Sequence, residues 1–228
     1  MFKTAVVSFF DVYPPKSGAG NVSWDFFQSI KGKKKFFQFS NKSINKKNIV
    51  NVNIIYNNPL FKMIFIPIQI YKIYDYLKNE NKKLIIIEGA SWVLYSSIIV
   101  FFFSFFKNFY IVYRSHNIEY ELRGFKNSIF IKIITKYLEN YLFNNCNLST
   151  VVSDKDKKKI KKLYKSNPII YPNSLNTKKI LNFKNSSLIK LPKKYIFYCG
   201  SYKYMPNKIA IDFLIKNTLP SLKNKGIR

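Results

Sequence analysis

Short runs of β-branched and aromatic residues alternate with longer segments of helical periodicity along most of this chain. The runs have the length and composition of strands. They are Ala5–Phe10, Lys34–Phe39, Ile49–Ile55, Leu84–Glu88, Phe109–Tyr113, Leu148–Val152 and Ile169–Tyr171. Predicted helices begin at about Asn21 and cover Phe61–Lys78, Gly89–Phe106, about Phe125–Phe143 and Ser153–Tyr164. This alternation predicts an α/β fold on a parallel sheet.

The predicted strands are almost continuously apolar, which is typical of strands that are covered on both faces. Because crossovers between parallel strands are right-handed, the helices should lie on both sides of the sheet in a doubly wound, Rossmann-like domain. Such sheets bind ligands at the carboxyl ends of their strands. We therefore expect functional residues in the loops after Phe10, Glu88, Tyr113 and Val152.

The composition changes near residue 182. We predict a first domain over residues 1–181, a polar, Lys-rich linker over 182–192, and a second β-α unit over 193–228. That unit has a predicted strand at Tyr195–Cys199 and a helix from about Pro206 that ends near Pro220. A single β-α unit cannot bury its own faces, so we expect the sequence to be truncated and the second domain to be incomplete.

The formal net charge of +28 suggests two anionic partners, a nucleic acid or a lipid surface. We expect no nucleic acid, because the cations are almost all Lys and lack the fork of Arg. The excess of Lys, Asn, Ile, Phe and Tyr is also what AT-rich codons produce. Attraction to anionic lipid headgroups, at roughly 1 kcal/mol per cation, remains expected. Two distant cysteines and the lack of a signal peptide in the sequence predict a cytoplasmic protein.

The segment Gly89–Phe106 has no charged residue and approaches the length of a membrane-spanning helix. Its four serines and its position between two predicted strands favour a helix that packs against the sheet. The alternative is a helix that enters one leaflet of a membrane.

Glycines follow the first predicted strand in the loop Pro14-Pro15-Lys16-Ser17-Gly18-Ala19-Gly20. Glycine lets a backbone approach a ligand closely, and the start of the next helix offers free N–H groups to phosphate. The loop is therefore either a simple tight turn or a diphosphate- or sugar-facing loop at Gly18, Ala19 and Gly20. It is not a dinucleotide fingerprint, because Ser23 replaces the third glycine.

Polar residues follow three other predicted strands. His116, which is the only histidine, and Asn117 come just after Tyr113. At this edge of the sheet a structural and a catalytic role for His116 are equally open. Asn173 follows the last strand of the first domain and by spacing is an ordinary turn residue.

The charged helix begins with Ser153-Asp154-Lys155-Asp156. An Asp-x-Asp pair holds a divalent cation in some enzymes, but Ser153 and Asp156 also form a capping box at the positive end of the helix. We favour the cap and expect no bound metal.

Together these segments resemble the large retaining GT-B glycosyltransferases known as family 4 or group 1. The similar segments, in the family's order, are Pro14–Gly20, Ser115–Tyr120, Val151–Asp154, Tyr171–Asn173, and Tyr198–Ser201 with Pro206-Asn207. The resemblance covers nearly the whole chain and identifies residues 193–228 as the opening of a donor-nucleotide domain.

The resemblance implies sugar transfer, with retention of configuration, from a nucleotide diphosphate sugar to a glycan or lipid-linked acceptor. The implied reaction requires no metal and no cofactor other than the nucleotide sugar. The resemblance also suggests cell-envelope polysaccharide synthesis at the inner face of the cytoplasmic membrane. Gly18, Gly20 and Gly200 would face the donor diphosphate, and His116 would contact the transferred sugar. Ser153 and Asn173 would shape the edge of the cleft.

Two departures from the family pattern concern the donor side. Lys203 stands near the position where many relatives have an arginine after Gly200, and its ammonium lacks the bidentate fork. The glutamate-bearing donor segment of relatives would lie beyond Arg228, so we expect residues 1–228 alone to transfer little sugar. The alternatives are a Rossmann-like domain that binds a glycan or lipid acceptor without catalysis, and a basic nucleic-acid-binding protein.

Overall fold

The computed structural model describes residues 2–42, 44–89, 92–124, 128–173, 197–200, 202 and 205–224. The chain divides into two compact units, Met1–Asn176 (unit 1) and Thr177–Arg228 (unit 2). The predicted linker over residues 182–192 lies outside the described residues, and the assignment of the two units to acceptor and donor sides stays a prediction.

Unit 1 contains a seven-stranded sheet in which every strand pair is parallel. The strands are β1 (Lys3–Val7), β2 (Lys34–Ser40), β3 (Ile49–Asn53), β4 (Lys83–Glu88), β5 (Phe109–Arg114), β6 (Leu148–Val151) and β7 (Ile169–Ile170). Their order in the sheet is β3-β2-β1-β4-β5-β6-β7, which contains the Rossmann order 3-2-1-4-5-6. The predicted α/β class and parallel sheet are confirmed, and each of the seven strands predicted in the first domain is present.

Helices flank this sheet. They are α1 (Gly18–Ser29), α2 (Pro59–Ile64), α3 (Ile66–Leu77), α4 (Val93–Ser104), α5 (Glu119–Gly124), α6 (Ile129–Asn145) and α7 (Asp154–Tyr164). The single helix predicted over Phe61–Lys78 was wrong, because the chain forms two helices that meet at Phe65. Pro67 explains the break, since it lacks the N–H that would continue the hydrogen-bond ladder.

Helix α1 begins three residues earlier than predicted. Ser17 is its N-cap, and the Ser17 hydroxyl accepts a hydrogen bond of 3.0 Å from the N–H of Gly20. Gly18, Ala19 and Gly20 therefore form the first turn of the helix rather than a loop before it.

Alternate side chains of the strands enter two separate core layers, as the period of two requires. Val6 and Ile86 pack with Trp24 and Phe27 of α1 on one face. Neighbouring strand residues such as Ile85 point to the other face, where the larger layer includes residues of α3, α4, α6 and α7. The prediction that both faces of the sheet are covered is confirmed.

The uncharged segment after β4 forms α4, which is shorter than the predicted Gly89–Phe106. Seven of its residues are buried, among them Tyr95 and Phe103, and the helix contacts β5 and α6. Within the described ranges, no helix has both the length and the apolarity to cross a membrane. The segment thus packs on the sheet, as favoured from the sequence.

Unit 2 has a helix over Met205–Phe213, a π-helical turn over Leu214–Thr218 and a further helix over Leu219–Asn224. The predicted helix start near Pro206 is correct, but the predicted end near Pro220 was wrong. The π turn ends just before Pro220, and a widened turn can accommodate a residue without an N–H. Of the strand predicted at Tyr195–Cys199, residues 197–199 are described, and they do not form a strand.

Candidate functional site

A buried ion pair joins the carboxyl ends of β4 and β5. The register of these strands places Glu88 directly beside Arg114, so the two side chains project from the same face of the sheet. Arg114 Nη1 donates to both carboxylate oxygens of Glu88, at 3.0 and 2.9 Å. Arg114 is 3% exposed and Glu88 is completely buried.

His116 and Ser23 also contact the Glu88 carboxylate. His116 lies two residues after Arg114, and its Nε2 is 2.9 Å from Glu88 Oε2. The Ser23 hydroxyl of α1 donates to the same oxygen at 2.6 Å. We call Glu88, Arg114, His116 and Ser23 the carboxylate cluster. It joins two strand ends to the first helix.

The charges of this cluster determine the protonation of Glu88. Burial raises the pKa of a carboxyl group, because it removes the charged form from water. The hydrogen bond from His116, the Arg114 guanidinium and the Ser23 hydroxyl outweigh that burial and leave the pKa of Glu88 below its ordinary value. Glu88 is therefore a carboxylate that can only accept hydrogen bonds.

The rest of the Arg114 guanidinium faces aromatic and polar groups. Its central carbon lies 4.1 Å from the ring centroid of Phe26 and 5.6 Å from that of Tyr171. Its Nη2 donates to Asn173 Oδ1 at 3.4 Å. Its Nε is buried and has no hydrogen-bond partner among the described residues. The guanidinium thus extends the cluster to the end of β7.

Gly89 allows the two strand ends to come this close. A Cβ at this position would lie 2.4 Å from the backbone oxygen of Arg114, and the N–H of Gly89 donates to that oxygen at 2.7 Å. Since backbone atoms cannot move away without breaking the β4–β5 pairing, only glycine fits here.

A second buried carboxylate holds the segment that follows His116. Glu139 of α6 accepts hydrogen bonds from the N–H groups of Glu119, at 2.9 Å, and Tyr120, at 3.1 Å. These groups open α5, so Glu139 acts as an N-cap supplied by another helix. The Tyr164 hydroxyl also donates to Glu139, at 2.7 Å. Despite these bonds, burial raises the pKa of Glu139.

The connection from β1 to α1 is held by polar side chains beneath it. Gln38 is buried on β2, and its Oε1 accepts from the N–H groups of Val12, at 3.0 Å, and Tyr13, at 2.9 Å. Lys62 is also buried, and its Nζ donates to the Phe9 carbonyl at 3.1 Å. Burial lowers the pKa of Lys62. The chain that leads to the glycines is therefore fixed at several points.

Helix α1 relates the predicted glycines to His116. Ser23, which bonds the carboxylate of the cluster, lies three residues after Gly20 and so on the same face of the helix. At about 1.5 Å per residue, Gly18 is roughly 7.5 Å further toward the helix start. A Cβ on Gly18 would meet nothing within 4 Å, whereas one on Gly20 would lie 3.2 Å from Ser17 Oγ.

Of three other predicted residues, one contacts the carboxylate cluster and two do not. Asn173 joins the cluster through Arg114. Asn117 is exposed, and its carbonyl accepts from the Ser115 hydroxyl at 2.8 Å. Ser153 is the N-cap of α7, where it accepts from the N–H of Asp156 at 3.1 Å and donates to the Asp156 carboxylate at 2.6 Å. The predicted helix cap is confirmed, and no described contact links Ser153 to the cluster.

The predicted donor-side residues belong to unit 2. A Cβ on Gly200 would lie 2.6 Å from the end of the Asn207 side chain, which would have to shift to make room for it. Lys203 lies outside the described residues. The roles of Gly200 and Lys203 stay predictions.

Within the described part of the chain, no group of three or more His, Cys, Asp or Glu side chains is arranged to hold a metal ion. No protein-family model and no curated protein matches this chain. Function must therefore be inferred from the residues themselves.

The sequence pattern placed His116 at the carboxyl edge of the sheet, where the carboxylate cluster lies, but it did not indicate the other three residues of the cluster. His116 was named, whereas Glu88 was treated only as a strand end and Ser23 only as a missing glycine. The available signal was a glutamate that closes an apolar strand and is followed by glycine. Its partner Arg114 closes the next strand in the same way, and only the register reveals that the two meet.

Glu88→Gln should lower the free energy of unfolding of unit 1 by about 3–5 kcal/mol at pH 7, because Arg114 would remain buried without a counter-charge. The pKa of Glu88 is lowered by folding, so its contribution is complete above its ordinary value of 4.5 and declines as the pH falls below it. The difference between wild type and variant should therefore narrow in acid. Denaturant unfolding followed by fluorescence measures this, since both tryptophans lie in unit 1.

Glu80→Gln is the matched control, because Glu80 pairs with Lys3 at 3.1 Å near the surface. Its cost should stay below about 1 kcal/mol. A Glu88→Gln protein as stable as the control would contradict the stabilising role of the Glu88–Arg114 ion pair. So would a stability difference between wild type and Glu88→Gln that stays constant from neutral to acidic pH.

Gly18→Ala should leave unit 1 at least as stable as wild type, with a gain of up to about 0.5 kcal/mol from higher helix propensity. The space around the added methyl group is empty. Gly89→Ala should instead strongly destabilise the protein, because the methyl group would meet backbone. Thermal unfolding of the two variants side by side measures the contrast, and a destabilised Gly18→Ala protein would be inconsistent with it.

Proposed function

We propose that unit 1 is the acceptor-side domain of a retaining GT-B glycosyltransferase, and that residues 193–228 open the donor-side domain. The enzyme transfers a sugar from a nucleotide diphosphate sugar to a glycan or a lipid-linked acceptor. The observation that supports this best is the connection between α1 and His116 through Ser23 and Glu88. It brings a glycine-rich helix start and a histidine to one edge of a parallel sheet, where such folds bind ligands.

The start of α1 is suited to a diphosphate. The Gly20 N–H is already bonded to Ser17, but the helix supplies no acceptor for the N–H groups of Gly18 and Ala19. Both residues are exposed, and Gly18 has open space where a side chain would be. A diphosphate at this position would gain hydrogen bonds and the positive end of the helix dipole.

His116 would contact the transferred sugar close to the reaction centre. In the transition state, negative charge accumulates on the departing diphosphate, and fixed backbone N–H groups and cations stabilise it without reorganisation. Gly200 and Lys203 would contribute from the donor side. We expect no bound metal and no cofactor other than the nucleotide sugar.

The test uses His116 as a reporter, because it is the only histidine in the chain. Residues 1–228 with ¹⁵N-labelled imidazole are titrated with a panel of nucleotide diphosphate sugars, beginning with UDP-glucose and GDP-mannose. At least one should shift the His116 resonances more than its free nucleoside diphosphate does, since the sugar is the part expected to touch His116.

Gly18→Val should weaken that binding at least tenfold, about 1.4 kcal/mol, by blocking the approach to the helix start. Gln28→Val, on an exposed position near the other end of α1, is the control and should bind like wild type. Shifts caused by a glycan but by no nucleotide sugar would favour a binding-only domain. Salt-dependent binding of single-stranded DNA without either response would favour a nucleic-acid partner.

We also propose a peripheral position on the anionic inner face of the cytoplasmic membrane. An apolar groove of about 620 Å³ opens between α3 and α4. It is lined mainly by Ile66, Ile70, Tyr71, Tyr74, Phe102 and Phe106. Exposed aromatic residues beside it, Phe101 and Phe105, add apolar surface. The net charge of +28 complements anionic lipid, and the groove offers a place for an acyl chain.

Wild-type protein should sediment with vesicles that contain anionic phosphatidylglycerol and should bind neutral phosphatidylcholine vesicles much less. Tyr71→Ser combined with Phe105→Ser should lower binding to anionic vesicles at least threefold, because apolar burial is lost. Tyr56→Ser is the control, since Tyr56 is equally exposed but does not line the groove. Equal binding to both vesicle types, or no effect of the double substitution, would contradict this position.

A further inference from the structure

The imidazole of His116 uses one nitrogen for its contacts with the cluster. Nε2 lies 2.9 Å from Glu88 Oε2 and 3.4 Å from Arg114 Nη1. Among the described residues, no hydrogen bond involves Nδ1. The cluster therefore holds the ring through Nε2 alone. His116 is 9% exposed, so protein covers nearly all of the residue.

The chemistry of the neighbours decides which nitrogen carries the proton. An ionised carboxylate only accepts hydrogen bonds and a guanidinium only donates them. If Nε2 carried no proton, its lone pair would face a carboxylate oxygen at 2.9 Å, which is repulsive. Accepting a bond from Arg114 at 3.4 Å would not compensate, because that contact is longer and Arg114 already donates to Glu88 at 2.9 and 3.0 Å.

The neutral ring therefore has its proton on Nε2, and Nδ1 keeps a free lone pair. The carboxylate that fixes this arrangement cannot turn away easily, because Ser23 and Arg114 donate to it as well. The position of the ring also depends on the segment after it, which Glu139 anchors through Glu119 and Tyr120.

We propose that Glu88 is a positioning residue, which fixes His116 with its proton on Nε2 and thereby presents Nδ1 as a hydrogen-bond acceptor for a hydroxyl group of the ligand. This deepens the proposed function and rests on it, since the hydroxyl would belong to the sugar of the nucleotide sugar. A hydroxyl is the complementary group because it donates a hydrogen bond where a phosphate oxygen cannot. Glu88 thus selects the sugar rather than the diphosphate, although it does not touch the ligand.

The tautomer can be read directly in a long-range ¹H–¹⁵N spectrum, in which a single histidine gives a single set of signals. In wild-type protein, at a pH where the ring is neutral, the Nδ1 resonance should have the position of an unprotonated nitrogen. In Glu88→Gln the amide can donate to Nε2 as well as accept from it, so both resonances should move toward a mixture of tautomers. A wild-type ring protonated on Nδ1 overturns the proposal.

Ser23→Ala is the matched control, because it removes a bond to the same carboxylate oxygen without contacting His116. It should leave the tautomer unchanged. A folded Glu88→Gln protein with the wild-type tautomer would also overturn the proposal. If Glu88→Gln does not fold, Glu88→Asp retains the charge at a shorter reach and should broaden or shift the same two resonances, and unchanged resonances count against the proposal.

Ligand binding separates this proposal from the one on which it rests. In Glu88→Gln, affinity for the nucleotide sugar should fall about tenfold while affinity for the free nucleoside diphosphate stays unchanged. Equal losses for both ligands would mean that Glu88 acts only on stability, and would overturn the positioning role. No response of His116 to any nucleotide sugar, with the Nε2 tautomer intact, would instead contradict the glycosyltransferase.

Discussion

The ion pair between Glu88 and Arg114 is the interaction on which the edge of the sheet depends. A carboxylate without access to water is costly, and it is stable here because Arg114, His116 and Ser23 donate to it. Arg114 and His116 lie at the end of β5, whereas Ser23 comes from α1, 65 residues from Glu88 in the sequence. Gly89 provides the close backbone approach that allows the pair to form. Removal of any donor would leave part of the charge uncompensated, so the cluster requires one particular arrangement of α1, β4 and β5.

The fold followed from the sequence because its signals are local and repeated. Apolar runs of strand length predicted all seven strands, and burial on both faces follows from their nearly continuous apolar character. Boundaries were less accurate where a single residue decides them. Ser17 starts α1 earlier than the glycines suggested, and Pro67 divides one predicted helix into two. Helix α5 was missed because its cap is Glu139, which lies on another helix and leaves no local signal.

The site was predictable only in part, for a related reason. Glycines and a histidine at strand ends are visible in the sequence, and the topology of parallel sheets places strand ends at one edge. The pairing of Glu88 with Arg114 depends on the register between β4 and β5, which the sequence does not display. In the sequence, Ser23 is notable only because it stands where a dinucleotide fingerprint has its third glycine. In the structure it is the residue through which α1 reaches the carboxylate.

The distribution of acidic residues is consistent with the proposal that this edge of the sheet binds the ligand. The chain has 11 Asp and Glu residues against 39 Lys and Arg, so its acidic groups are scarce. Glu88, Glu119 and Glu139 are nevertheless buried, and each lies in or beside the segment around His116. On the surface they would offset the excess of positive charge, whereas burial costs free energy. This concentration of scarce acidic groups around one histidine fits the proposed ligand site, because Glu88 holds the His116 ring and Glu139 holds the segment that follows it.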